Sequence, residues 1–286
     1  MANEIFLKPK LKIVETEDSF EFHDEKLKMG KITARMLPIL IGKNKYQSPG
    51  HGILDRLGLV EFKDDIDPVY KLRGAIAEKV VFDYMIESSR KVGVELTLKA
   101  FESEYKGSDG NYYGVDLFKN NKLFGGCIDI GIQAPEKLRA VVEVKSKDLS
   151  KYNDVLNEKN EYGLPIDEVL QGMHYCALMD LPRLVMAYVF FNESQMETLR
   201  KISSDESFDS HNIDVEKIIK DYNMNYENLT IELKRLSVDV EDIRTKQEHA
   251  YKLLLKAYQE KRIPKTLFKP SDIVFIQRYL NDGLPF

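Results

Sequence analysis

Cysteine is scarce in this chain: two occur in 286 residues, Cys127 and Cys176, both inside apolar runs. Two thiols cannot build a Cys₄ iron–sulfur cluster within one chain, and their scarcity fits a reducing compartment. Long apolar runs are missing too, since no stretch approaches the roughly 20 residues a membrane helix needs. The opening Met-Ala-Asn-Glu has neither the charged nor the apolar region of a secretory signal. The expected location is therefore the cytoplasm, with no membrane partner. Excess positive charge is also absent. With 42 Lys and Arg against 47 Asp and Glu the net charge is −5, so any contact with nucleic acid must come from local basic patches. The candidates are Lys8, Lys10 and Lys12; Lys43 and Lys45; Lys145, Lys147 and Lys151; and the stretch from Lys252 to Lys269. Each taken alone reads as ordinary solvated lysine.

Several enzyme signatures are missing as well. No His/Cys cluster has zinc-ligand spacing. No Gly-rich phosphate loop runs into Lys-Ser/Thr, and no nucleophile elbow occurs. Internal repeats and low-complexity tracts are absent. What is present is an ordinary globular composition, 43% hydrophobic and 31% charged. Thr33 is a suitable N-cap for a short helix over 34–41, 44–52 reads as loop, and a second short helix spans 53–59. A longer helix follows Pro68 and runs to about Lys91. Alternating runs then cover 95–101, 112–118, 123–133 and 139–147, with a turn at Asn120-Asn121. A polar loop, 148–164, leads into a helix from Pro165 to Met179 and a buried strand from Leu184 to Phe191. Ser203 to Asn212 reads as a linker, and 215–222 and 229–262 have helical period. The order implies an α/β fold with a helical C-terminal appendage, divided as 1–200 and 201–286.

The most informative residues lie on two of those strands. In Val142-Glu143-Val144-Lys145, alternation puts Glu143 and Lys145 on one face and the valines on the other. In Gly126-Cys127-Ile128-Asp129-Ile130-Gly131, Asp129 opposes Ile128, Ile130 and Ile132. A hairpin looped through Ala134 to Leu138 sets Asp129 directly across from Glu143. Two facing carboxylates, about 5 Å apart at Cβ, destabilise a sheet unless a cation lies between them. Mg²⁺ is suited to that place, because it takes one or two carboxylates together with substrate phosphates. Lys145 projects toward the same place as a point charge. Read without a site, the same residues are the solvent face of an amphipathic strand, with Asp129 as an ion partner for Lys145.

Two further segments bear on this pair. Glu78 has Gly74 and Ala75 a turn before it and Val81 and Phe82 a turn after, so it is expected on an apolar stripe. A carboxylate aimed inward must be paired or bind a metal. Downstream, Gln171 and Tyr175 share a helix face, with His174 beside them as a structural histidine.

Asp129, Glu143-Val144-Lys145, an upstream helical glutamate and Gln171-x-x-x-Tyr175 together resemble the PD-(D/E)xK nuclease superfamily, the last motif its RecB-like branch. Arg73-Gly74-Ala75-Ile76-Ala77-Glu78, preceded by Ile32-Thr33-Ala34 and by Gly42 through Pro49, resembles the lambda-exonuclease/YqaJ-type phage recombination nucleases. The likeness spans residues 30–191. It implies a restriction-endonuclease-like core, a mixed central sheet flanked by helices. It also implies Asp129, Glu143, the Val144 carbonyl and Glu78 as ligands of Mg²⁺, with Mn²⁺ expected to substitute. In that family Lys145 would orient the attacking water, Gln171 would anchor the site, and Tyr175, Arg73, Thr33 and Arg35 would meet DNA. Implied partners are DNA, a single-strand annealing protein and a second copy of the chain, in a bacterial host cell and phage-encoded. Two features depart from the pattern: Ile128 stands where the namesake proline would be, and the cysteine set of the iron–sulfur relatives is missing. The resemblance thus favours an exonuclease acting on DNA ends without an iron–sulfur cluster. An endonuclease of the same superfamily and a catalytically silent DNA-binding or scaffold protein stay open.

Overall fold

The structure, a computed structural model, describes residues 13–23, 27–59, 67–102, 104–108, 112–134 and 137–282. Lys8, Lys10 and Lys12, and the Pro135-Glu136 part of the hairpin loop, lie outside the described residues. The chain forms two compact units. One comprises Met1–Asp64, Phe118–Gly125 and Glu241–Phe286, and the other Asp65–Leu117 and Gly126–Val240.

In the first unit β1 (Ile13–Glu15), β2 (Ser19–Phe22) and β12 (Arg262–Pro264) make an antiparallel sheet in the order β1-β2-β12. β3 (Ile32–Thr33) pairs in parallel with β7 (Phe124–Gly125). The helices are α1 (Met36–Leu40), α2 (Pro49–Arg56), α8 (Val240–Glu260) and α9 (Pro270–Asp282). Thr33 is not the cap of α1: it is paired in β3, and Arg35 precedes the helix without a side-chain cap bond. Helix α2 begins earlier than expected, inside the 44–52 stretch read as loop. Ser48 accepts a hydrogen bond from the His51 N–H and Pro49 occupies the first turn, the two signals that start a helix there.

The second unit is a mixed α/β fold. Its helices are α3 (Pro68–Lys91), α4 (Tyr152–Leu156), α5 (Ile166–Met179), α6 (Glu193–Ser203) and α7 (Val215–Asp221). Its five-stranded sheet uses β4 (Thr97–Ala100), β8 (Ile130–Ala134), β9 (Lys137–Asp148), β10 (Arg183–Phe191) and β11 (Thr230–Ser237), in the order β11-β10-β9-β8-β4. β9 and β10 run parallel and the other neighbours antiparallel, giving the mixed sheet flanked by helices. A separate hairpin joins β5 (Glu104–Lys106) to β6 (Tyr112–Gly114).

Alternation along the central strands divides the core. Val142, Val144, Val185, Ala187 and Val189 pack with Leu72, Ile76, Ala77, Val80 and Val81 of α3 and with Met196 and Leu199 of α6. The other faces of β9 and β10 receive α5. At β10 both faces are buried, so the strand reads as a continuous apolar run.

Two segments differ from expectation. Residues 230–237, expected within a helix, form the edge strand β11 antiparallel to β10. Ile231 and Leu233 alternate onto the α3-side core, a period of two that the spacing of Leu236, Val240 and Ile243 disguised. Residues 193–203, left unassigned by pattern, form α6, started by an Asn192–Gln195 capping box.

Candidate active site

The hairpin register is the one expected over its central part, with Ile130 opposite Val142, Gly131 opposite Val141 and Ile132 opposite Ala140. A bulge after Ile132 then shifts the pairing, so Gln133 meets Leu138 and Ala134 meets Lys137. The strands therefore continue into the stretch expected to be loop.

The site lies at the opposite end of the ladder. The next pair beyond Ile130 and Val142 is Asp129 and Glu143, and there the backbone pairing of the hairpin stops. The Asp129 carbonyl accepts from the Phe101 N–H (3.1 Å), and its carboxylate Oδ2 accepts from the Val144 N–H at 2.8 Å. A side-chain oxygen thus takes the bond a strand carbonyl would have taken, fixing the Asp129 carboxylate against the backbone of β9.

Glu143 is 5% exposed. Its Oε1 accepts from Lys145 Nζ at 2.8 Å, and its Oε2 is buried with no hydrogen-bond partner. A buried carboxylate oxygen without a donor is costly, because its desolvation is not compensated. Lys145 Nζ also donates to Gln171 Oε1 of α5 at 2.8 Å.

The electrostatics follow from this crowding. Burial raises the Asp129 carboxyl well above its usual range, Glu143 and Glu78 raise it further, and Lys145 and the Val144 N–H pull the other way. Glu78 is pushed up to about 7 by burial and then by Glu143, with Lys145 opposing. For Lys145, burial disfavours the charge, but Glu143 and Asp129 outweigh it and hold the ammonium above its ordinary value. The Cys127 thiol, two residues before Asp129, is raised to about 11 by burial and by Asp129. Three acids and one lysine therefore share a field with too few cations.

Glu78 is brought into this group, but by a different row of α3 than expected. The core stripe of α3 is Val69, Leu72, Ile76, Val80 with Ala77 and Val81. Gly74, Ala75, Glu78 and Phe82 are half-buried at its border. A Cβ on Gly74 would meet nothing within 4 Å, so the space one turn before Glu78 is open.

Helix α5 closes the other side. A Cβ on Gly172 would lie 2.6 Å from Leu184 Cδ1 and 3.3 Å from Glu143 Cβ, so a residue without a side chain lets the helix settle onto the sheet. Tyr175, 7% exposed, packs against Gly126, whose φ of +132° also suits glycine. His174 is fully buried and meets the Tyr175 ring edge-on at 5.7 Å.

Arg73 turns inward. Its guanidinium donates to Ser146 Oγ (3.1 Å), the Ser146 carbonyl (3.2 Å) and Asp148 Oδ1 (2.6 Å), tying α3 to the end of β9. Thr33 and Arg35 belong to the first unit and are not among the residues gathered here. Lys145 and Lys147 are bound within the fold, to Glu143 and Glu168 respectively, and do not form a solvated basic patch.

Glu168 is the site neighbour that pattern did not single out. It pairs with Lys147 and accepts from the Tyr188 hydroxyl at 3.1 Å. Its signal was its place one turn before Gln171, on the row that continues to Tyr175.

Whether a divalent ion fits can be judged from the donors. Among the described residues no three His, Cys, Asp or Glu side chains are gathered closely enough to cage a metal. Two carboxylates across a hairpin, one with a buried oxygen lacking a donor, remain a suitable set for Mg²⁺, which completes its shell with water and substrate phosphate. Among the described residues no helix is long and apolar enough to cross a membrane.

No protein-family model and no curated protein matches the sequence. Solved structures similar to this chain include two exonucleases. A phage-related exonuclease from Haemophilus somnus 129PT is 17% identical, with 82% of this chain and 97% of that chain covered and a TM-score of 0.45. An alkaline exonuclease from Laribacter hongkongensis is 13% identical, with 90% and 96% covered and a TM-score of 0.45.

Proposed function

We propose that the chain is a metal-dependent DNA nuclease, an exonuclease that hydrolyses phosphodiester bonds from DNA ends, as in phage-type recombination. The observation that carries this reading is the buried, donor-less Glu143 Oε2, set across the hairpin from Asp129 on the face that bears Lys145.

Asp129, Glu143 and the Val144 carbonyl would hold Mg²⁺ or Mn²⁺, with Glu78 outside the direct shell and holding a bound water. The ion would lower the pKa of bound water and stabilise the attacking and leaving oxygens of an in-line displacement. The rest of the chemistry belongs to the chain. The Val144 N–H fixes the Asp129 carboxylate. Glu143 and Gln171 take two of the three Lys145 N–H groups, leaving one to orient the attacking water or offset charge on the phosphoryl oxygens. In the metal-free fold burial and Glu143 hold the Glu78 carboxyl above its ordinary value, so a cation placed beside it would relieve that repulsion.

Digestion of end-labelled linear duplex, single-stranded and closed circular DNA, with and without Mg²⁺, tests the reading. Mg²⁺-dependent loss of linear DNA with circles intact is expected. Cutting of circles would make the protein an endonuclease, and binding without cutting in Mg²⁺ or Mn²⁺ would make it a silent DNA-binding protein. An annealing partner and a second copy of the chain belong to the same reading as assembly partners.

A further inference from the structure

The face of β9 that carries Glu143 and Lys145 continues to Lys147, and α5 answers it residue for residue. Gly172 sits over Glu143, Gln171 bonds Lys145, and Glu168 bonds Lys147. Helix and strand run in opposite senses, so one row of α5 is bolted to one face of the sheet at successive turns. Gln171 is a single acceptor whose position depends wholly on where the helix lies.

Glu168 bonds the sheet at the start of that row. Its side chain is 13% exposed, and its two oxygens grip different strands: one takes Lys147 of β9 and the other the Tyr188 hydroxyl of β10. Tyr188 is fully buried and stands beside Lys145 in the β9–β10 register. In the first turn of α5 the acid is also favoured by the helix dipole. A carboxylate that clamps a helix start to both central strands, one turn from Gln171, is placed to govern the Gln171–Lys145 bond.

We infer that Glu168 is a positioning residue for the nuclease reaction: through its bonds to Lys147 and Tyr188 it holds Gln171, and so Lys145, in working geometry. The inference rests on the function proposed above.

The test measures kcat and KM for end-labelled DNA, well below the melting temperature, in wild type, Glu168→Gln, Gln171→Ala and the double variant. Glu168→Gln is expected to lower kcat about 10- to 100-fold, the range seen when supporting partners of a site are removed, with KM little changed. The double variant should be about as slow as the slower single one, because both changes break one connection. Tyr188→Phe, which removes one bond and keeps the ring, should lower kcat by a smaller factor and serves if Glu168→Gln fails to fold. A Glu168→Gln or Tyr188→Phe protein with wild-type kcat overturns the inference, even if it melts earlier. So does a double variant whose losses multiply. Wild type that cuts no DNA in Mg²⁺ or Mn²⁺ would instead sink the proposed function and the inference with it, so the two failures are told apart.

Discussion

On the proposed function, Lys145 is the residue whose replacement would separate holding a metal from using it. Its ammonium is bonded to Glu143 and Gln171 and makes no bond to Asp129. Lys145→Ala should therefore keep Mg²⁺ binding, followed by calorimetry, while DNA hydrolysis falls by about 10²–10³-fold, the usual loss when one charge-stabilising donor is removed. Glu78 gives a second expectation, in metal-free protein. Its carboxyl, ordinarily near 4.5, is raised to about 7 in the folded state. The folded protein thus holds this proton more tightly than the unfolded chain. Stability from that group is complete below about 4.5 and lost as pH rises through 7. Glu78→Gln removes the loss, so in chelator the variant should melt above wild type at pH 8 and by a smaller margin at pH 5. Thermal melts at the two pH values check the sign. Asp129, Glu143 and Lys145 were legible in sequence because strand alternation has a period of two and needs no knowledge of the rest of the fold. Glu168 was not, because its role depends on which row of α5 meets β9.

At the scale of elements, two glycines in helices make opposite predictions. Gly172 lies under the Leu184 side chain, itself buried, with no room for a Cβ. Gly172→Val should cost on the order of 1–3 kcal/mol and weaken hydrolysis by lifting Gln171 from Lys145. Gly74 has nothing within 4 Å of where its Cβ would be. Gly74→Ala should stabilise α3 by about 0.4–1 kcal/mol, since the helix admits alanine and the unfolded chain loses freedom. Denaturant melts of both proteins check the contrast. The long helix α3, the hairpin and α5 could be read from a proline at the helix start, strand alternation and a following proline. β11 could not, because Leu229 to Ser237 alternates too briefly to outweigh the helical spacing that continues beyond it. Its strand form is decided by the free edge of β10, whose paired residues lie 40 to 54 positions away in the chain, from Phe190 with Thr230 to Arg183 with Ser237.

For the whole molecule, the second unit contains every member of the acid–acid–lysine group, while Thr33 and Arg35 belong to the first. With a net charge of −5 and Lys145 and Lys147 committed to internal partners, the chain spends its site cations on its own acids. That is the arrangement expected if a divalent ion supplies the missing positive charge. Hydrolysis of end-labelled linear duplex by wild type and Glu143→Gln, side by side in Mg²⁺ and in chelator, tests this most directly. Wild type should cut in Mg²⁺ alone, and the variant should lose about 10³-fold or more. A Glu143→Gln protein that cuts like wild type, or a wild type indifferent to chelator, would contradict that expectation.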